Sequence, residues 1–64
     1  MIKRHDVRYG LHPGDQLMVI WKSEKKKVTV VKEYRYHILM DYGKYLRSVN
    51  KADVYTGEVR LERR

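Results

Sequence analysis

The sequence predicts an all-β domain, a small five-stranded barrel, on three observations. Short runs rich in β-branched and aromatic residues recur along the chain. Clusters of turn-forming residues separate them. No window repeats apolar residues at i, i+3, i+4 and i+7 over three turns, so no helix is expected. At 64 residues the chain is one domain. Residues 1–11 read as an extended or one-turn lead-in and residues 16–62 as the barrel.

The first turn is His12-Pro13-Gly14-Asp15. Proline presets φ at its second position and glycine supplies the positive φ that a type II turn needs at the third. Strand one follows from Gln16 to Lys22. Ser23-Glu24-Lys25-Lys26 reads as a charged hairpin tip. Strand two runs from Lys27 to Lys32, and Val28, Thr29, Val30 and Val31 make it strongly β-branched. Strand three is Tyr34 to Asp41, Tyr42-Gly43 a tight turn, and strand four Lys44 to Val49. Asn50-Lys51-Ala52-Asp53 reads as a short turn with room for one 3₁₀ turn. Strand five is Glu58 to Glu62, after Gly57. Five strands of this length and spacing suit an SH3-like barrel, and closure would remove exposed strand edges. The rival, an OB-fold, usually needs a longer chain and a helix between strands three and four.

Period-two alternation nominates the core. In strand one, Leu17, Val19 and Trp21 share a face, and Met18 with Ile20 forms a second apolar face that the lead-in could cover. Val28 and Val30 are expected inside. In strand three, Ile38 and Met40 compete with Leu39. Leu46, Val49, Val54, Val59 and Leu61 complete the set. With no cysteine, no disulfide braces the domain. Hydrophobic residues at 42%, including six Tyr and one Trp, must therefore supply its stability.

Fifteen Lys and Arg against eight Asp and Glu give a net charge of +7. Such a field favours polyanions: nucleic acid, an anionic membrane or an acidic protein. The longest apolar run, Leu17-Met18-Val19-Ile20-Trp21, is far short of the ~20 residues that span a bilayer. Met1-Ile2-Lys3-Arg4-His5-Asp6 has no apolar stretch behind it, unlike a signal peptide. A cysteine-free chain of this kind is expected in the cytoplasm, without a membrane span.

Catalysis is not expected. There is no cysteine nucleophile, Ser23 and Ser48 lie outside any nucleophile-elbow pattern, and His5, His12 and His37 are scattered. His5, Asp6, His12 and Asp15 could be assembled into a metal site, but their spacing matches no closed tetrahedral pattern. They read as polar residues of a lead-in and a turn, and no cofactor is expected.

Two groups of residues point to a binding module, with DNA or RNA as the first-ranked partner. Lys25, Lys26 and Lys27, near Lys22, could grip phosphates. The favoured reading makes them a solvated tip that keeps the neighbouring strands soluble, since Glu24 dilutes the run and hairpin tips are usually polar. Tyr34, Tyr36, Tyr42 and Tyr45 flank the hairpin of strands three and four, interleaved with Arg35, His37, Lys44 and Arg47. Aromatic faces stack bases while cations hold the backbone, the combination used by single-strand binders. The competing reading makes the tyrosines good strand residues that cap the barrel ends. The alternative function is a protein-interaction module with an acidic partner. Oligomeric state is not legible in the sequence.

Ala52-Asp53-Val54-Tyr55-Thr56-Gly57-Glu58-Val59-Arg60-Leu61 resembles the closing segment of the Veg family of small Firmicute proteins, an Ala-Asp-Val-x-Thr-x-x-Val-x-Leu pattern. Val31-Lys32-Glu33-Tyr34, followed by Ile38-Leu39-Met40, resembles that family's middle hairpin. The resemblance covers residues 28–61 and extends to other small SH3-like barrels of Firmicutes. It implies an SH3-like fold in a Gram-positive bacterium and brings no catalytic or ligand-binding residues. Asp41 to Arg47 departs from the pattern, and Lys51 stands where an aromatic is usual.

Overall fold

The protein is described by a computed structural model over residues 8–64. Five strands form one antiparallel sheet: β1 (Gln16–Trp21), β2 (Glu24–Glu33), β3 (His37–Asp41), β4 (Leu46–Asn50) and β5 (Val59–Arg63), with a short helix α1 (Lys51–Thr56) before the last strand. The strand order is β4-β3-β2-β1-β5. Among the described residues the sheet does not close: β4 and β5 are its two edges, and α1 carries the chain from one to the other.

Leu17, Val19, Val28, Val30, Ile38, Met40, Val49 and Val59 form the buried core, against which Tyr9, Leu11, Tyr42, Val54 and Leu61 pack. Strand three therefore buries Ile38 and Met40, and Leu39 is only half-buried. The second face of β1 is not fully covered, since Met18 and Ile20 are half-buried. The register sets Met18 between Lys27 and Glu62, and Ile20 between Lys25 and Arg60. Long charged side chains can lay their alkyl stems along such apolar neighbours.

Two expected core residues lie outside. Leu46 is 58% exposed, because it stands three positions from Val49 and a period of two cannot bury both. Trp21 shares the parity of Leu17 and Val19 but is the last residue of β1 and is 43% exposed.

The turns explain the remaining differences from expectation. The Pro13-Gly14 turn forms as read: the Asp15 N–H donates to the His12 carbonyl at 3.0 Å, and Gly14 has φ 94°. The first hairpin is tighter than expected. Trp21 pairs with Glu24 across a two-residue turn in which Lys22 takes φ 58°. Lys25, Lys26 and Lys27 consequently sit inside β2 rather than at a loop tip. Strand two continues to Glu33, so Tyr34, Arg35 and Tyr36 form a bend before β3 instead of the start of a strand. The expected short turn at residues 50–53 is the beginning of the six-residue α1. A helix of that length is too short to show a periodic apolar stripe. It ends at Gly57, whose φ of 89° is the left-handed cap that a side chain disfavours.

One irregularity shapes the whole sheet. Val30 pairs with Met40 but Lys32 pairs with Leu39, so the register shifts at Val31. A bulge of this kind changes which parity faces the core. Before it, Val28 and Val30 point inward; after it, Glu33, opposite the buried Ile38, takes the inward place that Lys32 would otherwise hold.

Candidate nucleic-acid interface

The inward-facing Glu33 meets Lys51, the first residue of α1. Their charged groups approach to 2.7 Å, with the Lys51 side chain fully buried and that of Glu33 4% exposed. The backbone N–H groups of Tyr9 and Leu11 donate to Glu33 Oε2 and Oε1 at 2.8 and 2.9 Å. The Lys51 ammonium also lies 5.7 Å from the Tyr9 ring centroid. It meets the carboxylate off the hydrogen-bonding direction and makes no hydrogen bond of good geometry among the described residues. Burial pushes the Glu33 carboxyl up, but Lys51 and the two N–H donors outweigh it and hold the group below the usual range. The same carboxylate pushes the Tyr9 phenol up, second to the effect of burial. The Lys51 N–H donates to the Tyr36 carbonyl at 2.9 Å. The lead-in, β2, the β2–β3 bend and α1 are thus tied at one point, which sets the path of α1 between β4 and β5.

Along that path lies a groove of about 370 Å³. Trp21, Lys22 and Val19 line it from β1 and its turn; Tyr42, Arg47 and Asn50 line it from β4 and the preceding loop. Asp53 and Glu58 complete it from α1 and the connection to β5. The Lys22 ammonium lies 4.8 Å from the Trp21 ring centroid. Tyr42 and Tyr45 stack at 5.2 Å with their planes 10° apart. The Tyr42 N–H donates to the Tyr45 carbonyl at 2.9 Å, and the Gly43 N–H to Asp41 Oδ1 at 2.7 Å, so the loop is held in one shape. Burial raises the Tyr42 phenol, Arg47 opposes that, and Tyr45 adds to it.

The residues expected to form one surface divide into two. Tyr42, Lys44, Tyr45 and Arg47 lie in or beside the β3–β4 loop. The register places the start of β2, with Lys25, Lys26 and Lys27, at the same end of the sheet, since Thr29 pairs with Asp41. Tyr34, Arg35 and Tyr36 lie at the other end of β3, and five residues at about 3.3 Å each separate the groups by roughly 16 Å. There Tyr34 stacks on His37 at 4.7 Å and lies 5.2 Å from the Lys32 ammonium, while Arg35 sits over Tyr36 at 5.4 Å.

Trp21 was missed as a surface residue. Its place as the last apolar residue before Lys22-Ser23 is the signal that could have shown it. Lys51 and Glu33 were missed as a pair, and the only trace of them was Lys51 in a position usually aromatic.

Of the residues considered for a metal site, His5 and Asp6 lie outside the described residues. Asp15 accepts the His12 N–H at 2.9 Å and faces Arg63 at 3.5 Å. The His12 bond first, and then Arg63, hold its carboxyl below the usual range against partial burial. Among the described residues no group of three His, Cys, Asp or Glu could hold a metal, and no helix is long and apolar enough to cross a membrane.

Compared with family models, with curated proteins and with solved structures, the chain matches none.

Proposed function

We propose that the protein is a non-enzymatic, cytoplasmic binding module that takes single-stranded nucleic acid at one end of its sheet. The observation that carries this reading is the gathering of aromatics and cations at that end. Trp21, Lys22, Tyr42 and Arg47 line one groove; Lys26, opposite Val19, shares its face of the sheet, Lys44 stands in the adjoining loop, and Lys25 and Lys27, opposite Ile20 and Met18, lie on the other face. Bases stack on aromatic faces without regard to sequence, while flexible cations hold phosphates and release counterions. The net charge of +7 supports the same partner. Tyr34, Arg35 and Tyr36, at the far end of β3, are left to packing and to local cation–π contacts.

The fold is read as a small barrel of the SH3-like kind, opened between β4 and β5. The strand order, the short helix before β5 and the likeness of residues 28–61 to the Veg family support it. A second reading, a protein-interaction module, draws on the edges β4 and β5, which pair with no further strand among the described residues, since a partner's extended segment can add a strand to such an edge.

Trp21 is the only tryptophan, so its fluorescence reports the groove directly. Titration with single-stranded oligonucleotides at two salt concentrations should give quenching and an affinity that falls steeply with salt. Arg47→Ala should weaken binding and lower the salt slope by about 1. No binding at low salt removes the proposal.

A further inference from the structure

The groove lining has a chemical asymmetry that phosphate binding does not use. Asp53 and Glu58 both border it, and neither carboxylate makes a hydrogen bond or ion pair among the described residues. Two free carboxylates are a poor choice for a surface that only grips a polyanion. Beside them stand cations, Lys22 and Arg47, and the aromatic rings of Trp21 and Tyr42. A ligand that satisfies all of these must offer a flat ring and parallel N–H donors, with an acceptor beside them.

Among the nucleic-acid bases, guanine alone carries that edge. Its N1–H and N2–H groups point the same way and can both reach one carboxylate, while O6 and N7 accept from a cation. Cytosine and adenine each offer a single amino group beside a ring-nitrogen acceptor, so a carboxylate gains one hydrogen bond from them where guanine supplies two. Uracil and thymine offer one N–H between two carbonyl oxygens. Single-strand recognition by proteins commonly works in this way, with an unstacked base held on an aromatic face and read along its Watson–Crick edge. The groove volume of about 370 Å³ is ample for one base with its sugar at the mouth.

We infer that the groove is a guanine-selective base site: the ring stacks against Trp21 or Tyr42, Asp53 or Glu58 accepts from N1–H and N2–H, and Arg47 or Lys22 donates to O6. The backbone then runs outward past Lys26 of β2 and Lys44 of the β3–β4 loop. This rests on the nucleic-acid reading above. It adds a base preference, which a purely electrostatic grip would lack.

The test is Trp21 fluorescence titration with three probes: a uridine hexamer, the same hexamer carrying one guanosine, and the same hexamer carrying one inosine, which lacks the N2 amino group. The guanosine probe should bind about tenfold more tightly than the uridine probe, in keeping with the discrimination of a bidentate base contact. The inosine probe should fall between them. Asp53→Asn and Glu58→Gln are each made, with circular dichroism melts to establish folding. At least one should bring the guanosine-to-uridine ratio close to one. Equal, salt-sensitive binding of guanosine and uridine probes by the parent protein overturns the base site and leaves the nucleic-acid reading standing. A preference that survives in both variants overturns the carboxylate assignment. Failure of every probe at low salt overturns both readings together.

Discussion

The ammonium of Lys51 lies 2.7 Å from the carboxylate of Glu33, with both side chains almost wholly out of water. An ion pair in such a place is a weak source of net stability, because desolvating two charges offsets most of their attraction. Removing one partner is another matter, since the second charge is left buried without compensation. Lys51→Met should therefore cost about 3–5 kcal/mol by urea unfolding, a large share of the margin of so small a domain. Adding Glu33→Gln to it should recover part of that loss, because the remaining amide still accepts from Tyr9 or Leu11. A Lys51→Met protein within about 0.5 kcal/mol of the parent would show that the pair is not sealed from water.

The same carboxylate makes stability depend on pH. The folded state holds Glu33 below its ordinary value of 4.5, so between the two values the unfolded chain binds more protons. Its contribution is complete above pH 4.5 and is lost as pH falls through the lower folded value. Acidification from pH 6 to pH 3 should therefore destabilise the parent more than a Glu33→Gln variant. Asp15, also held low, contributes in the same direction to both proteins and cancels in the difference. Equal losses in parent and variant by thermal melts would remove Glu33 from the account.

Burial orders the core substitutions. Val30 is 1% exposed, while Leu61 is only half-buried beside the core. Val30→Ala should cost about 2–3 kcal/mol, and Leu61→Ala less despite its larger deletion, because part of that side chain already meets water. Denaturant melts that put Leu61→Ala ahead would mean that β5 packs more deeply than described.

Most of the strand pattern was legible from local chemistry. Gln16 to Trp21 announced itself by its apolar run after a Pro-Gly turn, and Val28 and Val30 by β-branching and alternation. What failed were features that depend on long-range partners. The bulge at Val31 leaves no mark in the alternation, yet it decides that Glu33 rather than Lys32 faces the core. Lys51 looked like a solvated turn residue, because nothing local reveals a carboxylate eighteen positions earlier. The tyrosines were legible as a group along the chain, but strand β3 sends two of them to one end of the sheet and two to the other. The first hairpin was misjudged because Lys22 takes a left-handed conformation for which glycine or asparagine is the usual signal.

Backbone amide chemical-shift mapping with a guanosine-containing oligonucleotide locates the bound strand on the sheet. Shifts should concentrate at Trp21, Lys22, Lys26, Tyr42, Lys44 and Arg47, with Asp53 and Glu58 following, and leave Tyr34, Arg35 and Tyr36 unmoved. Shifts gathered on the β2–β3 bend, or none at low salt, would contradict that placement.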